Sequence, residues 1–129
     1  MLYINSSENE IEFSGDKADM LSLGEFFSST EHSLKIEVPI TSNQYYPQPI
    51  KNLNLELSKK SSQKLTFKII NSILEIEGGV NYMRCLGESL TNFFGGEVSY
   101  HDHFHLYYDN EDTNNILGNN NYSLIFVNQ

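Results

Sequence analysis

The residues whose types and spacing come closest to a chemical motif are His101, His103 and His105. In an extended chain alternate side chains share a face, so three imidazoles would line one side of a strand, and His-x-His is a spacing found in metal sites. Geometry limits what they can hold. The outer two stand about 13 Å apart at the rise of a strand, whereas a zinc–nitrogen bond is about 2.0–2.1 Å. Three such residues cannot converge on one ion. His103 and His105 remain as the metal-binding alternative, and further ligands would have to come from His32, Glu97 or Asp102, none at a diagnostic spacing. The preferred reading is an exposed polar strand face with no metal and no cofactor.

The other candidates are weaker. Asp109, Asn110, Glu111 and Asp112 superficially resemble a calcium loop, but Asn114 stands where that loop needs Gly, and Asn120 where it needs its closing Glu. The stretch reads as a solvated loop, extended by Asn119–Asn121 into a tip suited to recognition. Cys85 has no catalytic motif around it and reads as a small packing residue on a helix. Tyr45-Tyr46-Pro47-Gln48-Pro49 is an extended connection whose aromatic pair either anchors a partner or covers a sheet edge. There is no phosphate-binding loop, dinucleotide fingerprint, HExxH or nucleophile elbow. The chain therefore reads as a binding module and not as an enzyme.

The elements that carry these residues follow from an internal repeat. Residues 11–29 align without gaps on 74–92, with identities at Glu12/Glu75, Gly15/Gly78, Met20/Met83, Leu23/Leu86, Gly24/Gly87 and Glu25/Glu88. In each copy an alternating stretch, IEF or LEI, runs through a Gly into a helical pattern. Met20, Leu23, Gly24 and Phe27 form one helical stripe, and Met83, Leu86, Gly87 and Leu90 form its counterpart. A mid-helix glycine costs about 1 kcal/mol against alanine, so two at the same stripe position point to close approach of each helix to its packing partner. Asp16, three residues before Asp19, is placed to cap the first helix, and Gly78-Gly79 opens the second less sharply.

Downstream, NLNLEL (52–57) matches HDHFHLYY (101–108), and KLTFKII (64–70) matches SLIFV (123–127), each as a strand. Asn52 and Asn54 then stand where the second copy has histidines. KLTFKII-NS-ILEIE reads as a hairpin turning at Asn71-Ser72, and LYI (2–4) and LKIEV (34–38) add short strands. The expectation is an α+β fold with two layers: an antiparallel sheet with both helices on one face, built from a strand–helix–strand–strand duplication over about 2–70 and 71–129.

Size and charge set the outer bounds. At 129 residues the chain fits a single domain, 1–129. Eight Phe and eight Tyr suffice for a core. Seventeen acidic against eight basic residues give a net charge of −9, which argues against nucleic acid as a partner, since phosphate demands a basic footprint. The charge is uneven: residues 51–70 carry a local +4 and the rest −13. No apolar run is long enough to suggest a membrane span, no secretory signal is visible at the start, and one lone cysteine, Cys85, excludes an internal disulfide. A cytoplasmic protein is expected, with its oligomeric state open.

The second copy resembles a family of small bacterial immunity proteins encoded beside polymorphic secreted toxins. The likeness spans residues 74–127: a strand leading to Gly78, the helix with Leu86 and Leu90, His103-Phe104-His105-Leu106, and Ser123-Leu124-Ile125-Phe126 in the last strand. The first copy departs from it at Asn52 and Asn54. The resemblance implies a non-catalytic inhibitor that binds and neutralises a cognate protein toxin, for which a basic nuclease is a suitable target. The surface implied for that partner is His101, His103, His105, Tyr107, Asp109, Glu111 and Asp112. The alternative function is a small-ligand or metal-binding domain using the histidine strand.

Overall fold

Residues 1–41, 43–108, 115–118 and 122–129 are described in the computed structural model. In chain order they form β1 (Tyr3–Ser6), β2 (Glu10–Gly15), α1 (Lys17–Ser29), β3 (Leu34–Glu37), β4 (Gln48–Ile50), β5 (Asn52–Leu57), β6 (Thr66–Ile70), β7 (Ile73–Gly78), α2 (Val80–Phe94), β8 (His103–Leu106) and β9 (Ser123–Asn128). The fold is α+β, as expected, but its sheet structure is not.

One antiparallel sheet with two helices on a face was expected; there are two mixed sheets instead. A five-stranded sheet runs β4-β1-β2-β9-β8, and a four-stranded sheet runs β3-β5-β7-β6. The central contacts are parallel, β2 with β9 and β5 with β7, and the outer ones antiparallel. The alternating patterns specify which face of a strand is buried. They carry nothing about its neighbour's identity or direction, and β2 and β9 lie at opposite ends of the chain.

The registers also correct the downstream pairing of the repeat. Ile11 lies beside Leu124 and Phe13 beside Phe126, just as Leu74 lies beside Leu53 and Ile76 beside Leu55. So β5 (52–57) corresponds to β9, not to 101–108. β3 corresponds to β8, since Lys35 faces Asn54 as His105 faces Ile125. β1 likewise corresponds to β6, Asn5 facing Glu12 as Lys68 faces Glu75. The expected hairpin is present, with Asn71 and Ser72 both at positive φ, 52° and 62°, in its two-residue turn. Each sheet therefore takes one strand pair from either half of the chain, and β4 is the strand without a counterpart.

The helices form for the reasons legible in their residues. Asp16 caps α1: its carboxylate accepts from the Asp19 N–H at 2.8 Å, and Asp19 returns the bond to the Asp16 N–H at 2.9 Å. α2 starts at Gly79 without a side-chain cap. Both stripes are buried as expected, and the partner each glycine approaches is the other helix. A Cβ at Gly24 would stand 2.8 Å from Thr91 Oγ1 and 3.0 Å from the Gly87 carbonyl; one at Gly87 would stand 2.6 Å from the Ser28 nitrogen. The stripes join the apolar faces of both sheets in one core: Ile4, Ile11, Phe13, Leu124 and Phe126 from one, Leu53, Leu55, Phe67, Leu74 and Ile76 from the other. Phe13 and Phe126 stack with centroids 4.7 Å apart. Turned away from this core are the two outer faces, and they differ.

Candidate functional site

On the five-stranded sheet the outer face is set by the residues between the core positions. Ile4 lies in the core, so Asn5 points outward; Ile11 and Phe13 do the same for Glu10 and Glu12. The register adds Ser123 and Ile125 of β9 and His103 and His105 of β8 to that side. Glu12 therefore has Asn5 across one flank and Ile125 across the other.

A strap, residues 43–46, closes over this surface. Asn43 organises it: Oδ1 accepts from the backbone nitrogens of Tyr45 (2.9 Å) and Tyr46 (3.1 Å), while Nδ2 donates to Glu12 Oε1 at 3.1 Å. The Tyr46 hydroxyl donates to Glu10 Oε1, and Ser123 Oγ donates to Glu10 Oε2 at 3.1 Å. His105 Nε2 stands 3.6 Å from Glu10 Oε2, an ion pair when the imidazole is protonated. The Tyr45 side chain points away and is 77% exposed. The tyrosine pair was expected to anchor a partner or to cover a sheet edge; Tyr46 instead lies over the face at Glu10 of the interior strand β2, and Tyr45 is exposed.

The strap makes the face electrostatically costly. Glu12 is only 8% exposed, and loss of solvent, followed by the charge of Glu10, raises its carboxyl above the usual value. Burial and the bond to Glu10, with the two carboxylate charges, push the Tyr46 phenol well above its ordinary value. Asn5 is 1% exposed, and neither its Nδ2 nor its Oδ1 has a hydrogen-bond partner among the described residues. Two carboxylates and an unsatisfied amide thus share one face, and the basic side chain within ion-pairing distance among the described residues is His105.

The histidines expected on one strand face are divided. His103 and His105 lie on β8, exposed, with ring centroids 5.0 Å apart. His101 lies before the strand in a turn, at φ 71°. Its backbone N–H donates to the Asn128 carbonyl at 2.8 Å and its ring lies against Tyr100, so the turn is tied to the end of β9. Asp102 accepts from the Ser99 N–H at 2.7 Å within that turn. Among the described residues no three His, Cys, Asp or Glu side chains are grouped to hold a metal ion. Tyr107 follows β8, 66% exposed, its carbonyl accepting from Asn115 Nδ2 at 3.1 Å. Asp109, Glu111 and Asp112 lie outside the described residues. Cys85, read as a packing residue, is exposed on α2; its position falls on the solvent side, off the buried stripe.

Glu10, Glu12, Asn5 and Asn43 belong to no motif in the sequence, and Tyr46 stands out there only as one of an aromatic pair. Glu12 carried a signal as an identity of the repeat, set between the core residues Ile11 and Phe13. The four-stranded sheet shows the same scaffold with different outer chemistry: Lys68, Glu75, Asn54 and Lys35 on an open face. No helix among the described residues is long and apolar enough to cross a membrane. Compared with known proteins, the chain matches no family model, no curated protein and no solved structure.

Proposed function

We propose that this chain is a non-catalytic immunity protein that binds and neutralises a cognate toxin in the cytoplasm of the producing cell or its kin, and that the toxin's contact surface is basic. The observation that carries the reading is the pair of carboxylates, Glu10 and Glu12, held on one sheet face with His105 beside Glu10. A face of that kind gains most from a cationic partner. The net charge of −9 adds long-range attraction, which raises association rates and makes them salt-dependent. A basic nuclease fits such a partner because it carries cationic side chains to grip phosphate.

The proposed surface joins His103, His105 and Tyr107, exposed beside this face, with His101, Asp109, Glu111 and Asp112, which the sequence resemblance adds. Exposed Tyr45 contributes an aromatic anchor of the type that dominates interface energetics. The matching registers support a duplication within the chain, the two copies corresponding as β1-β2-α1-β3-β5 and β6-β7-α2-β8-β9. On this reading the outer face of one sheet, built from strands of both copies, took on a partner and that of the other sheet did not.

The test is co-expression with the toxin encoded beside this chain. Growth is restored by the intact chain and reduced when Tyr107, Asp109 and Asp112 are replaced together in a variant that still folds. A stably expressed chain that leaves the adjacent toxin lethal would refute the reading.

A further inference from the structure

We infer that Glu12, Glu10 and Asn5 form a receptor for one guanidinium, an arginine side chain presented by the protein partner. The inference rests on the proposed function and deepens it by naming the group that is recognised.

Two carboxylates alone would not define a site; Asn5 does. It sits across from Glu12, 1% exposed, with donor and acceptor both unpartnered among the described residues. Buried side-chain amides are nearly always satisfied, so an orphan beside two carboxylates marks a place made for something else. The protein supplies its own comparison. At the equivalent position of the four-stranded sheet the residue across from Glu75 is Lys68, a cation from the chain itself. Where the four-stranded sheet provides a lysine, the five-stranded sheet provides an amide across from Glu12 and leaves the positive charge for that carboxylate to be brought in.

The acceptors select a guanidinium over an ammonium. Glu10 and Glu12 are alternate residues of one strand, about 7 Å apart along it, with Asn5 on the next strand. A planar fork of five N–H groups spans such a spread, while an ammonium concentrates three donors at one point. Guanidinium is also the more weakly hydrated cation and gives up water more readily on entering a partly buried site. Glu10, with its side chain 24% exposed, is the entrance; Glu12 and Asn5 lie deeper. With the guanidinium bound, Asn5 would offer Oδ1 to the cation and turn Nδ2 to the Glu12 carboxylate, so that the donor and acceptor now without partners are satisfied together. The Tyr46 ring, fixed by its hydroxyl on Glu10, adds an aromatic neighbour suited to a planar cation.

The test titrates the nitrogen-15-labelled full chain with Nα-acetyl-arginine amide, with the matching lysine and glutamine amides as comparison probes, and follows the Asn5 side-chain signals. The arginine probe moves them saturably and the glutamine probe does not. Glu12→Gln weakens the response roughly tenfold or more, the usual effect of losing a charged hydrogen-bond partner. Glu75→Gln on the other sheet leaves it unchanged. If Glu12→Gln does not fold, Glu10→Gln at the more exposed entrance makes the same comparison. Unmoved Asn5 signals, an equal response to the lysine probe, or full response in a folded Glu12→Gln chain would each overturn the inference. An arginine probe that fails with a chain that still rescues cells removes this site alone. Binding without rescue supports the site and removes the immunity reading.

Discussion

On the outer face of the four-stranded sheet Lys68 stands across from Glu75, with Asn54 on the far flank. At the equivalent positions of the five-stranded sheet stand Asn5, Glu12 and Ile125. The inner faces of the same strands are alike: Ile4, Phe13 and Phe126 on one sheet answer Phe67, Ile76 and Leu55 on the other, all buried. Core burial is a shared requirement of both sheets and tolerates one aliphatic or aromatic residue for another. The outer positions are under no such demand, and there the two sheets differ: the open face carries Lys35 and Lys68, and among its described residues the covered face carries histidines and no lysine. That difference is a sharper chemical contrast than any motif in the chain.

The largest effect is expected where the two sheets are joined. At Gly87 a side chain would run into Ser28 and the Gly24 backbone, which cannot move aside as a flexible side chain can. Gly87→Leu should destabilise by at least about 3 kcal/mol, as overpacking against backbone exceeds the roughly 1 kcal/mol gained in helix propensity. Amide exchange is the measurement, and protection in β2 and β7 should fall together. Protection lost in one sheet and kept in the other would mean that the sheets are separately stable.

The next effect has the opposite sign. Asn5→Leu keeps a branched side chain of similar shape and removes an unsatisfied buried amide, so it should stabilise by about 1–2 kcal/mol, read by urea unfolding, while abolishing the response to the arginine probe. A gain of stability with loss of binding is the signature of a residue retained for a ligand. Destabilisation would assign Asn5 a structural role and bring the two sheets closer together in character.

How these features were legible in the sequence depends on how local their causes are. The Asp16 cap, the Asn71-Ser72 turn and the buried stripes need only residues near one another in the chain, and each is present. The close approach at Gly24 and Gly87 was legible too, because glycine in a helix has few other reasons. Strand neighbours were not legible. Leu53/Leu55 and Leu124/Phe126 are interchangeable as alternating patterns, and pairing β2 with β9 depends on the whole fold. Glu12 misled for the same reason: in IEF it reads as the solvent position of a strand, and it is buried by a strap arriving from residues 43–46. His101 also continues the strand pattern, but the chain turns there at positive φ and β8 begins two residues later.

Glu12 makes stability depend on pH. The folded-state pKa of Glu12 lies above its ordinary value of 4.5, through desolvation first and Glu10 second. Its ionised form is therefore disfavoured by folding. The penalty is absent at pH well below 4.5, grows as the pH rises from the unfolded value through the raised folded one, and is fully present above it. Glu12→Gln removes that penalty, and its amide oxygen still accepts from Asn43. The variant should match the parent in acid and melt higher at neutral pH, with the gap opening across the carboxylate range in a series of thermal melts. A parent that instead melts higher than the variant at neutral pH would mean that the charge is stabilised in the fold, as by a cation already in place.

The smallest effect comes from the other sheet and tests whether its cation is structural. Lys68 is exposed, across from a Glu75 that keeps access to solvent, and an exposed cross-strand pair contributes about 0–1 kcal/mol. Lys68→Asn should thus change stability by no more than about 0.5 kcal/mol, even though it recreates on the open face the Asn–Glu arrangement of the covered one. It should also leave the arginine probe without a new site there, because Glu75 and the new amide would both remain hydrated, and a hydrated carboxylate has little to gain from a second cation. If Lys68→Asn did create a saturable arginine site, residue identity alone would define the receptor, and the strap from Asn43 to Tyr46 would be irrelevant to it. The expected failure gives the strap a specific role. It excludes water from Glu12 and Asn5, so that an arriving guanidinium meets groups whose alternative is to stay unsatisfied.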